Sequence, residues 1–228
     1  LDAIERFEVA LRTQFAHHHS RHFGPFGYFE NDSSLPKLNQ KQRRDFRAKI
    51  LRILSRESEK SLRDPYLIYF KEKYGDLHAI PPIWAAVDHI DFGTMMHMYL
   101  GATNSVKKPL SKLLGIPRAV LESWLPALHS VRNICAHHER IWNRVLGIRL
   151  HELPIDRFPG WHTPHKVDMG RTYGLLLVCD LIVTKIAPLS KWRCRLHELL
   201  ESYPEIPRSE MGFPEGCTNP SAPTELVI

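Results

Sequence analysis

Apolar residues recur every three or four positions from the first turn of the chain. Ile4, Phe7, Leu11 and Phe15, with charged and polar residues between them, line one face of a helix expected to run to about His22. Gly24-Pro25 and Gly27 end it, and residues 23–38 read as a loop with aromatic anchors Phe26, Tyr28 and Phe29. A second helix is expected from Asn39, a suitable N-cap, to Lys60, burying Phe46, Ile50, Ile53 and Leu54. Asp64-Pro65 starts a third, with Tyr66, Tyr69, Phe70 and Tyr74 on it, and Gly75 closes it. Pro81-Pro82 begins a fourth that continues through Trp84, Val87, Ile90 and Met98 to Gly101. A short basic segment at 106–114 leads to Gly115-Ile116-Pro117 and a fifth helix carrying Val120, Trp124, Leu128, Val131 and Cys135, with a kink expected at Pro126. Beyond a Pro- and His-rich loop at 151–167, helices are expected at about 168–187 and 190–202, and residues 204–228 read as an irregular Pro-rich tail.

No stretch alternates apolar and polar residues as a half-buried strand does, so the class is all-α, with one helical domain over 1–203 and the tail behind it. At 43% apolar and 25% charged residues the chain buries a core, which excludes disorder throughout. The longest apolar stretch, Leu175 to Thr184, is cut by Asp180 and is too short to cross a bilayer, so no membrane partner is expected. The chain opens with Leu1 already in a helical pattern and shows no secretory leader; a missing N-terminal segment and a cytoplasmic location are the expectations. Cys135, Cys179, Cys194 and Cys217 include no CxxC pair, which fits a reducing compartment and no zinc knuckle. A formal charge of +6 favours a polyanionic partner, with nucleic acid first.

Fourteen histidines make metal binding the first chemistry to test. His18 and His22 have the one-turn spacing of a helical zinc site without its Glu, and His137-His138-Glu139 also departs from that pattern. No metal site and no cofactor is expected. No GxSxG elbow and no Gly-rich phosphate loop occurs. The stretch from Arg132 to Asn143 is different: it crowds Arg132, Asn133, His137, His138, Glu139 and Arg140 onto the continuation of a helix whose earlier turns are strongly apolar. Polar groups there are costly to bury without partners, so they mark a candidate site. Asn133 and His137 stand one turn apart and share a face. Arg132 and His137 are five apart, about 140° around an ideal helix, and converge only if the helix ends or bends there or a second chain completes the site.

The string RNICAHHERIWN at 132–143 resembles the RNxxAHHxRxWN signature of the bacterial Abi-like (AbiD/AbiF) abortive-infection proteins, a variant of the Arg-x4-6-His element of HEPN ribonucleases. IERFEVALRTQFA at 4–16, GPFGYFE at 24–30 and MGFPE at 211–215 are similar to what that family shows in the same order. The resemblance implies a HEPN-like helical bundle with additional N-terminal helices, a homodimer, and metal-independent cleavage or binding of RNA in phage defence, a small non-coding RNA among the partners. Bare Arg-x4-His spacing occurs three times, at Arg12/His17, Arg132/His137 and Arg157/His162, and only the middle pair carries the further matches.

The residue types suit RNA chemistry. RNA brings its own nucleophile, the 2′-hydroxyl, so cleavage needs a base, an acid and positive charge on the phosphorane. An imidazole, from His137 or His138, serves as base or acid, Arg132 offers a fork matched to phosphate oxygens, and Asn133 orients an imidazole or holds a phosphate oxygen. One imidazole per chain is thin for two proton transfers, and a twofold dimer supplies two. For RNA contact, the second helix carries Lys41, Arg43, Arg44, Arg47, Lys49, Arg52, Arg56 and Lys60 against Asp45, Glu57 and Glu59, a basic ridge to which Arg140 adds from the motif. Three functions stand at this point: a dimeric endoribonuclease, a catalytically silent RNA-binding regulator, and a divalent-metal hydrolase built on the His-rich segments.

Overall fold

A computed structural model of the chain describes residues 1–54, 64–217 and 220–223. Among the described residues the chain forms ten α-helices and no strand. They are α1 (Asp2–Phe23), α2 (Gly27–Glu30), α3 (Gln40–Leu54), α4 (Pro65–Tyr74), α5 (Ile83–His89), α6 (Phe92–Gly101), α7 (Asn104–Leu114), α8 (Arg118–Ala136), α9 (Thr172–Ile186) and α10 (Trp192–Ser202). The all-α class holds. The residues fall into two compact units, Ala10–Leu110 and Leu1–Val9 with the described residues from Ser111 onward. No described helix is long and apolar enough to cross a membrane.

The α1 stripe is buried as its spacing requires, from Ile4 through Phe7 and Leu11 to Phe15. Within the unit Ala10–Leu110, the Arg12 guanidinium donates to the carbonyls of Val87 and Ile90, the latter at 2.6 Å. The expected 23–38 loop contains the short α2 and a 3-10 turn at Asp32–Ser34, and Tyr28 is anchored there by a 2.8 Å bond from its hydroxyl to the Pro81 carbonyl. Asn39 caps α3 reciprocally: its side chain accepts from the Gln42 N–H and the Gln42 side chain accepts from the Asn39 N–H, both at 2.9 Å. Ile50 and Leu54 are buried as expected, while Phe46 and Ile53 are half-buried. The expected continuation of α3 to Lys60, with Arg56, lies outside the described residues.

Asp64 caps α4 through bonds to the N–H groups of Tyr66 and Leu67. The fourth expected helix is two. Asp91 caps α6 by accepting from the Thr94 N–H at 2.9 Å and the Thr94 hydroxyl at 2.7 Å, and that cap ends α5 at His89. The apolar rhythm runs on through Ile90 and Phe92, which hides the break in the sequence. Burial alone would raise the Asp91 carboxyl, but the Thr94 bonds and Lys49 at 3.0 Å hold it down at about 2. The basic segment at 106–114 belongs to a full helix, α7.

The other unit is organised around α8 and α9. On α8, Leu121, Trp124, Leu125, Leu128 and Val131 are buried, each contributing about 1.5–3 kcal/mol on burial. The Trp124 indole donates to the His151 carbonyl at 2.8 Å. On α9, buried Asp180 accepts both arms of Arg193 from α10, at 2.8 and 2.7 Å, together with the Ala222 N–H at 2.8 Å. The described part of the segment after α10 carries a 3-10 turn at Arg208–Met211 and is packed: Met211 and Phe213 are buried, and the Phe213 ring lies 4.5 Å from that of Tyr173. Gly212 has φ 88°, and a Cβ there would meet the Arg171 Cβ at 2.6 Å, so this position requires glycine.

Candidate functional site

The apolar face of α8 carries the chain to Val131, and the polar motif starts at the next residue. Arg132, Asn133, Ile134 and Cys135 are half-buried; His137, His138, Glu139 and Arg140 are exposed. The helix ends inside the motif. The His138 N–H donates to the Cys135 carbonyl at 3.1 Å and the Glu139 N–H to the Ile134 carbonyl at 3.0 Å, the paired bonds of a Schellman stop. The residue that turns left-handed in that stop is ordinarily glycine; here it is His138, with φ 57°, the one described non-glycine residue with positive φ. Holding a side chain in that region costs about 1–2 kcal/mol.

The stop separates the two histidines. His137, at φ −91°, still follows the helix, and its N–H donates to the Asn133 carbonyl at 3.0 Å. His138 leaves on a different course. The stop lies beyond His137, so His137 keeps its helical place, five residues from Arg132. Asn133 is held from the other side as well, with its amide nitrogen 3.3 Å from the His129 ring nitrogen Nε2. His129, Asn133 and His137 thus form a stripe at four-residue spacing. His129 is the residue sequence reasoning left out, although its spacing to Asn133 was visible.

Arg132, His137 and His138 make no side-chain hydrogen bond or ion pair among the described residues. The other two Arg-x4-His pairs are committed to the fold: Arg12 ties α1 to the end of α5, while Arg157 donates to the Gly115 carbonyl at 2.9 Å and His162 bonds the Leu153 carbonyl at 2.7 Å. The rest of the motif fixes the turn after α8. Glu139 pairs with Arg144 at 2.8 Å, Arg140 lies 5.9 Å from the Trp142 ring centre, and the Ile141 carbonyl accepts from the Thr172 hydroxyl at 2.7 Å. Asn143 reaches Glu210 at 3.4 Å. Arg140, expected as an RNA contact, is exposed and lies beside the Trp142 ring.

In the other unit, the basic ridge on α3 divides. Arg43 donates to the Leu38 carbonyl at 2.9 Å and Arg47 to the Phe29 carbonyl at 2.9 Å, and both approach the Asp32 carboxylate, at 3.5 and 2.7 Å. These two arginines tie the 29–38 segment to α3. Lys41 has no such tie among the described residues, and Arg44 is 78% exposed with only a 3.9 Å approach to Asp45. Together with Asp32 and Gln40 they border an open, polar concavity of about 620 Å³.

In the His-rich stretch of α1, His17 and His22 are exposed, and burial followed by the charges of His17, Arg21 and His22 lowers the pKa of His18. His19 is fully buried between Phe15 and Phe23, whose ring centres lie 5.2 Å away on either side. Among the described residues no three His, Cys, Asp or Glu side chains are grouped to hold a metal ion.

Comparison with known proteins adds one match. A family model described as Abi-like protein matches residues 1–143, a span that runs from α1 through the last residue of the motif. The match stops short of α9, α10 and the MGFPE string. No curated protein and no solved structure matches the chain.

Proposed function

The chain belongs to the Abi-like protein family, and from that membership and the motif at the end of α8 we propose that it is a bacterial abortive-infection protein acting as a cytoplasmic, metal-independent endoribonuclease of the HEPN type. The observation that carries this is the uncommitted state of Arg132, His137 and His138 among the described residues, when the arginines of the other two Arg-x4-His pairs serve the fold. Arg132 binds the non-bridging oxygens of the scissile phosphate and neutralises charge gathering on the phosphorane. An imidazole, His137 first, takes the proton of the 2′-hydroxyl as that oxygen bonds to phosphorus. The bond from phosphorus to the 5′-oxygen breaks, and a second imidazole delivers a proton to the leaving oxygen. The products are a 2′,3′-cyclic phosphate and a 5′-hydroxyl.

The second imidazole comes from His138 or, in a homodimer with facing motifs, from the partner's His137. Asn133, held by His129, keeps the amide in place beside the reacting groups. The left-handed backbone of His138 supports the same assignment, because strain retained at a turn that glycine would make freely points to a use for the side chain.

The test is cleavage of end-labelled single-stranded RNA in excess EDTA by wild type, Arg132→Ala and His137→Ala, each alone and then mixed. Wild type cuts, either variant alone loses at least about 100-fold, and mixing the two restores part of the activity if the site is shared across a dimer. RNA bound but uncut by wild type would replace the nuclease with a silent RNA-binding regulator. Activity lost with chelator and restored by a divalent ion would favour a metal hydrolase.

A further inference from the structure

Past the stop at His138 the chain brings Trp142 against α10 and the segment that follows it. Trp142, Leu199, Leu200, Tyr203, Arg208 and Met211 line a pocket of about 250 Å³ that opens to solvent. Its lining is aromatic and aliphatic except for one guanidinium. Leu199 and Tyr203, at its α10 side, are 55% and 50% exposed. The fold leaves these large apolar side chains uncovered beside the motif.

Arg208 lines the pocket, and a second cation lies by its Trp142 wall. The Arg140 guanidinium lies 5.9 Å from the Trp142 ring centre and makes no ion pair among the described residues. Arg208 is fixed by a 2.7 Å bond to the Leu200 carbonyl and by the Phe213 ring at 5.8 Å. Of the carboxylates near these residues in the chain, Glu139 is paired with Arg144, Glu201 with His197, Glu210 faces the Asn143 amide, and Glu205 is exposed. An apolar slot with one guanidinium in its lining and another beside its Trp142 ring complements a flat heterocycle carried on a phosphate chain. A stable protein interface needs roughly 800 Å² on each side, far more than a slot for one ring offers. Trp142 is five residues from His137, so their Cα atoms are at most about 18 Å apart, and one short run of nucleotides can meet both.

We propose that this pocket takes one unpaired base of a single-stranded RNA whose scissile phosphate, within the same short run of nucleotides, is held at Arg132 and His137. The inference rests on the RNA reading above and adds the form of the substrate: single-stranded, gripped by stacking. Trp142 and Tyr203 provide aromatic surface that any base can stack on, so the pocket selects for an unpaired base with little preference for its identity.

The test is fluorescence anisotropy with two labelled ten-nucleotide strands bearing 2′-fluorine, which removes the nucleophile: one of adenosines, the other abasic with the same phosphates. Wild type is expected to bind the adenosine strand about tenfold more tightly than the abasic one. Tyr203→Ala and Leu199→Glu, both at exposed positions, should each lose that advantage and keep the abasic affinity. Retention of the tenfold preference in both variants overturns the proposal. So does a change in sedimentation with the RNA preference intact, which would make the groove a seat for another protein chain. Equal affinity of wild type for both strands, in a protein that cleaves RNA, sinks the pocket and leaves the nuclease standing. A base preference lost in both variants of a protein that never cleaves does the reverse.

Discussion

His19 is an imidazole with both ring nitrogens buried and unbonded among the described residues, between two phenylalanine rings. Burial, and after it the charge of His22, lowers its pKa from 6.5 to about 4. The unfolded chain therefore takes up a proton below about pH 6.5 that the folded chain refuses until about pH 4. Stability from this group is whole above pH 6.5 and declines as the pH falls between those values. His19→Leu removes both the unpaired nitrogens and the proton linkage. Urea unfolding should show it more stable by about 1–3 kcal/mol at neutral pH, with a shallower decline from pH 6.5 to 4. At His138 the backbone sets the expectation: His138→Gly relieves the left-handed cost and stabilises by about 1 kcal/mol, while His138→Val destabilises by at least as much. Those melts separate the turn from the chemistry, because loss of cleavage in the more stable His138→Gly chain would assign the imidazole a direct role.

At the scale of elements, caps and stripes were legible and partnerships were not. Asn39 and Asp64 announce helix starts because a cap is a local device, satisfied by N–H groups two or three residues ahead. Asp91 is the same device, hidden because Ile90 and Phe92 kept the apolar rhythm going across it. The ridge on α3 shows the harder limit. Its charges could be counted, but the commitment of Arg43 and Arg47 depends on Asp32 and on carbonyls up to 18 residues back, which no periodicity reveals. Binding and stability should divide accordingly. Lys41→Glu with Arg44→Glu should weaken RNA binding and reduce its salt slope by about 1–1.5, with the melting temperature unchanged. Arg47→Ala should cost about 1–2 kcal/mol of stability. An unchanged salt slope in the double variant would assign the ridge to solvent.

For the whole molecule, the all-α class and the position of the motif at the end of a buried helix could be read from 132–143 and the apolar turns before it. The sharp stop could not, because the residue at its left-handed position is His138 and not the glycine that signals such a turn. Nor could the packing of the segment after α10, where Gly212, Phe213 and Ala222 are held by Arg171, Tyr173 and Asp180 across long separations in sequence. In the proposed function, the chain's charge of +6 draws RNA to an uncommitted Arg–His set that uses the RNA's own 2′-hydroxyl. The most direct measurement is the end chemistry of the cut: end-labelled RNA, incubated with the protein in excess EDTA, beside the same strand with a single 2′-deoxy residue at the scissile position. The expected result is a 2′,3′-cyclic phosphate and a 5′-hydroxyl from the first strand and no cut at that position in the second. Cleavage of the 2′-deoxy strand at the same site, or products ending in a 5′-phosphate, would contradict it.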